Sequence, residues 1–174
     1  MKNAVFVILL FAICKTGMAQ KIISDKKHPV SGKRVISTNE VSVVDIGGLA
    51  ILQARGTRII TKDSADTYVI SFITPEAGVH IVRHDTSSFF CKIKIPGGAI
   101  YQGKWVGSSK MNISHDIYNL SLYTLTQEQA QMIMGSSTSE IDLEAAYDGG
   151  TYMLDKKSEI TAIPKILKAL VSVK

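Results

Sequence analysis

The residues of this chain that could do chemistry are few: four histidines, two cysteines, and one stretch where lysines alternate with large aromatics. His80 and His84 stand four apart with Asp85 beside them. On a helix that spacing would place two imidazoles on one face, within reach of a single metal. The residues around them alternate apolar and polar from Val79 to His84, which is a strand pattern, and four residues along a strand span about 13 Å. One metal cannot bridge that distance, so neither a metal nor another cofactor is expected, and the pair reads as surface histidines. His115-Asp116 repeats the dipeptide, but neighbours on a strand face opposite ways and would need a turn to cooperate.

Cys91 would be a nucleophile only as a thiolate with a base beside it. Its neighbours at spacing two are Phe89, Ile93 and Ile95, which predicts a small hydrophobe on the buried face of a strand. No cysteine-peptidase signature surrounds it, and no Gly-x-Ser-x-Gly elbow occurs in the chain. Gly97-Gly98, Gly103 and Gly107 lie among Lys94, Lys104 and Lys110, but no phosphate-loop pattern leading into a helix is present; turns and strand bends account for these glycines.

The candidate ligand-binding set is Tyr101, Lys104 and Trp105 with Lys92 and Lys94. An aromatic platform with a cation beside it is a common way to hold a sugar, and a cluster of lysines suits an anion. Two aromatics on one strand face are more often core. Asn112-Ile113-Ser114 and Asn119-Leu120-Ser121 match the glycosylation acceptor pattern.

The elements that must position these residues are mostly strands. Residues 20–40 are rich in Lys and Ser, interrupted by His28-Pro29 and Ser31-Gly32, and predict an extended or flexible N-terminal segment. A single globular domain is expected over 41–174. Val41 and Val43 alternate with Ser42, and an apolar stretch from Leu49 to Ala54 follows the Gly47-Gly48 turn. Thr57 to Lys62 and Thr67 to Thr74 flank the polar loop Asp63-Ser64-Ala65-Asp66 and predict a hairpin. Strands are also predicted over Phe89–Ile95, Ile100–Val106 and Tyr118–Leu125, and a second hairpin joins Ile141–Tyr147 to Thr151–Asp155. Thr126 with Gln129 three residues on marks a capped helix that Gly135 ends. A last helix starts at Thr161 and carries Ile163, Leu167 and Leu170 on one side. The fold class is α+β: a mainly antiparallel sheet or sandwich-like domain with two short helices in the C-terminal third.

Residues 1–19 carry an export pattern: Lys2, an apolar run from Ala4 to Cys14, and small Gly17 and Ala19 three residues and one residue before a cut. The run is too short to span a bilayer, so a cleaved secretory signal is expected and no transmembrane anchor. Ile13 before Cys14 argues against lipid attachment. Cleavage leaves 155 residues with net charge +3, because Lys2 and Lys15 depart with the signal. Cys91 is then the only cysteine, so stability must come from the core. Residues 20–110 carry 13 basic and 7 acidic side chains, and residues 111–174 carry 5 and 8. That polarity fits either two mutually attracting parts of the fold or an anionic partner.

The expectation is an exported protein, secreted or periplasmic, acting as a non-catalytic binding or structural component of the bacterial envelope or extracellular space. Its partner would be an anionic or carbohydrate component, with no nucleic acid involved. The alternative is a small secreted hydrolase using Cys91 or a His-Asp pair.

Overall fold

The computed structural model describes residues 20–46, 49–75, 90–113, 116–147 and 150–173. In chain order these form β1 (Ile22–Lys27), β2 (Arg34–Thr38), β3 (Val41–Ile46), β4 (Leu49–Ile60), β5 (Thr67–Pro75), β6 (Phe90–Lys94), β7 (Ile100–Ile113), β8 (Asp116–Leu125), α1 (Gln127–Gly135), β9 (Ser139–Tyr147), β10 (Gly150–Ile160) and α2 (Ala162–Ser172). Among the described residues all strand pairings are antiparallel, in the order β1-β2-β4-β5-β8-β7-β6-β9-β10, with β3 also on β4. This is the expected α+β fold, a mainly antiparallel sheet with two helices in the C-terminal third.

Ten strands occupy nine positions. β2 pairs Thr57–Ile60 and β3 pairs Leu49–Ala54 on the same edge of β4, so the two act as one strand interrupted at Asn39-Glu40. At the break the Gly56 N–H donates to Thr38 Oγ1 at 3.0 Å, which satisfies a buried backbone donor that the ladder misses.

Alternation decides the core. Leu52 and Ala54 on β4, Tyr68, Ile70 and Phe72 on β5, Tyr123 and Leu125 on β8, and Cys91 and Ile93 on β6 belong to one buried cluster shared with both helices. Phe72 and Tyr123 meet edge to face with centroids 6.0 Å apart. On α2, Ile163, Ile166, Leu167 and Leu170 follow the i, i+3, i+4, i+7 stripe and are fully buried, while Lys165 and Lys168 face water. Each of those four side chains stabilises the fold by about 2 kcal/mol through burial. The helix lies so close to β4 that a Cβ on Gly56 would overlap Ile166 Cγ2 and come within 2.8 Å of Leu170 Cδ1.

The α1 cap forms as its sequence predicts. Thr126 Oγ1 accepts from the Gln129 N–H at 3.2 Å, and Gln129 Oε1 accepts from the Thr126 N–H at 2.9 Å. Gln129 Nε2 also donates to the Gln102 carbonyl at 3.3 Å, which ties the helix to β7. Thr161 holds the N-cap position of α2, but its side chain makes no capping hydrogen bond.

Residues 20–40 contribute two strands to the sheet. Ile22–Lys27 and Arg34–Thr38 pair with each other and extend the sheet from β4, and Ile36 and Thr38 are fully buried. Arg34 grips Asp25 through two hydrogen bonds of 2.8 and 2.6 Å, which holds that carboxyl below its ordinary value of 3.8.

Candidate functional site

The register of β6 with β7 and β9 places four of the candidate residues, and that of β7 with β8 places Trp105. Ile93 lies opposite Tyr101 on β7 and Ile141 on β9, and Cys91 lies opposite Gly103. Trp105 lies opposite Tyr123 on β8. These are rungs of the helix-backed face, and Tyr101 and Trp105 are half-buried against the core cluster. Lys92 lies opposite Gln102, Lys94 opposite Ile100, and Lys104 opposite Phe90, which puts the three lysines on the other face. The structure thus gathers Lys92, Lys94 and Lys104 and sets Tyr101 and Trp105 behind them.

The lysine face is not uniformly basic. Lys94 Nζ lies 3.2 Å from Glu140 Oε2, with both side chains well solvated at 45% and 38% exposure. Asp142 on β9 holds the register position beside Lys92. Lys94 and Lys104 are exposed and Lys92 is half-buried.

The same face carries apolar surface that the sequence reading did not single out. Ile100, opposite Lys94, is 60% exposed. The β6–β7 turn joins this surface: Pro96, Gly97, Gly98 and Ala99 are all exposed. Gly97 and Gly98 adopt φ of 97° and 91°, a left-handed geometry that favours glycine. The Ile95 N–H donates to the Ala99 carbonyl at 3.0 Å and the Gly98 N–H to the Ile95 carbonyl at 3.1 Å. The signal was available in the sequence as the six uncharged residues from Ile95 to Ile100 between Lys94 and Lys104.

Cys91 is 1% exposed, inside the core cluster, as its apolar neighbours at spacing two predict. A thiol held there offers no support to the hydrolase alternative. His80, His84, Asp85 and His115 lie outside the described residues, and Asp116 opens β8 opposite Ile113. Among the described residues no group of three or more His, Cys, Asp or Glu side chains could hold a metal ion. Of the two glycosylation patterns, Asn119 is buried and sits on β8 opposite Thr74, where no glycan could reach it in the folded protein. The Asn112 side chain lies outside the described residues.

No protein-family model, curated protein or solved structure matches this chain. Among the described residues no helix is long and apolar enough to cross a membrane.

Proposed function

We propose that the protein is an exported, non-catalytic binding component of the bacterial envelope or extracellular space, which holds an anionic partner on the outward face of β6 and β7. The observation that carries this reading is the division of the candidates between two faces. Lys92, Lys94 and Lys104 share a face that reaches solvent, while the aromatics and the only thiol of the exported chain pack on the core side. Export rests on the signal pattern of residues 1–19, with the mature chain starting at Gln20.

Charge and stacking make different demands on the partner. A ring that stacks on sugar must present its face to solvent; Trp105 packs instead against the core cluster, which favours charge over stacking. The ion pair with Glu140 lowers the net charge of the face, so attraction should be modest and sensitive to salt. The test is binding of the exported protein to its own envelope fragments across a salt series. Binding should weaken steeply past ~0.15 M, where the Debye length is about 8 Å. Trp105→Ala should lower stability by about 3–5 kcal/mol and leave the affinity of the folded protein intact. Binding that survives salt but disappears with Trp105→Ala would overturn the charge reading in favour of sugar stacking.

A further inference from the structure

We infer that the anionic partner is a lipid surface, met by the tip of the β6–β7 hairpin; this rests on the reading that the lysine face binds anions. From Ile95 to Ile100 the hairpin tip carries no charged side chain and no side-chain hydrogen-bonding group. Pro96 to Ile100 are nevertheless exposed. Proline and glycine are ordinary turn residues, but Ala99 and Ile100 follow them with no polar side chain between Lys94 and Tyr101, so the tip offers prolyl, methyl and isoleucyl surface to its surroundings. Lys94 stands directly behind it, and Lys92 and Lys104 lie further back on the same sheet face. Tyr101 follows Ile100 on the core-facing side, half-buried, as an amphipathic ring suited to a headgroup boundary.

Apolar tip first and cations behind is the order in which a bilayer presents its own chemistry: acyl boundary, then anionic headgroups. A soluble polyanion would use the lysines and leave the uncharged tip without a role. A lipid surface uses both. Only the shallow boundary is accessible, because a turn carries peptide groups that cannot be left unpaired in hydrocarbon. The hairpin rests at headgroup depth and does not cross.

The test is co-sedimentation of the exported protein with vesicles of phosphatidylcholine containing phosphatidylglycerol, with vesicles of phosphatidylcholine alone, and binding to soluble polyphosphate. The protein should bind the phosphatidylglycerol vesicles and not the neutral ones. Ile100→Ser should weaken vesicle binding by about ten-fold, a conservative share of what full burial of an isoleucine contributes. It should leave polyphosphate binding unchanged. Lys92→Glu with Lys104→Glu should weaken both, by at least about five-fold for each lysine removed from an anionic surface. All of these residues are solvent-facing or half-buried, and an unchanged melting temperature establishes that each variant is folded. Phosphatidylglycerol binding that ignores Ile100→Ser overturns the lipid inference. Lysine-dependent binding to polyphosphate without binding to vesicles also overturns it, and leaves the anionic reading standing. Binding to neither probe removes both.

Discussion

Asn119 shows what a residue's sequence neighbourhood conceals. Only 3% of it is exposed, and among the described residues neither its carboxamide oxygen nor its nitrogen has a hydrogen-bond partner. A sealed polar group left unpaired costs about 1–3 kcal/mol, so truncation there removes a penalty along with the packing. Asn119→Ala should therefore leave stability unchanged or raise it by up to about 1 kcal/mol, where truncation of a bonded or apolar core residue costs about 2–5 kcal/mol. Urea unfolding checks this, and a loss above about 2 kcal/mol would show that the amide is bonded. In sequence Asn119 reads only as a glycosylation acceptor, because nothing local reveals which strand face is inside. Tyr101 and Trp105 pose the same difficulty. Alternation establishes that two side chains share a face and leaves open which face is the core. Cys91 was legible because Ile93 and Ile95 share its parity, and apolar branched neighbours point inward.

Arg58 acts at the scale of elements. Its Nε and Nη2 bind Asp66 Oδ2 at 2.7 and 2.6 Å, and its Nη1 donates to the Leu170 and Val173 carbonyls at 3.2 Å each. The last turn of α2 contains no basic residue, so the sheet supplies the cation that complements the helix C-terminus. Asp66 in turn donates its backbone N–H to Gln127 Oε1 at 3.2 Å, which couples the β4–β5 turn to the start of α1. Arg58→Ala should cost about 1.5–3 kcal/mol, the scale of hydrogen bonds to charged groups. Arg58→Lys should recover little of it, since a single ammonium cannot hold Asp66 and two carbonyls in that fork geometry. Chemical unfolding of the three proteins decides; full recovery by Lys would contradict the account. Arg58 and Asp66 face each other across the β4–β5 turn, but the contacts to α1 and α2 are not local in sequence. What was legible is local: the β4–β5 and β9–β10 hairpins from alternation around polar turns, and α1 from Thr126 and Gln129. β1 and β2 read as an extended or flexible segment because their surroundings are rich in Lys and Ser and broken at His28-Pro29 and Ser31-Gly32, while β2 finds its partner strand in β4 and Ile36 joins the core cluster.

For the whole molecule, the neighbours that sequence order does not imply are β2 with β4, β5 with β8 and β6 with β9. The β6–β9 pairing explains part of the charge polarity along the chain. It brings the basic first part against the acidic last part, with Lys94 on Glu140 and Lys92 in register with Asp142. Lys104 shares this face with Lys92 and Lys94, and these three lysines are what the functional reading uses. The most direct measurement compares two charge reversals of equal size in the exported protein and follows the fraction retained on its own envelope fragments at low salt. One is Lys92→Glu with Lys104→Glu on the outward face of β6 and β7; the other is Lys165→Glu with Lys168→Glu on the solvent side of α2. Both change net charge by the same amount, so non-specific attraction would respond equally to either. Release by the first pair and retention with the second is the predicted result. Equal release by both, or retention with both, would contradict the assignment of this face.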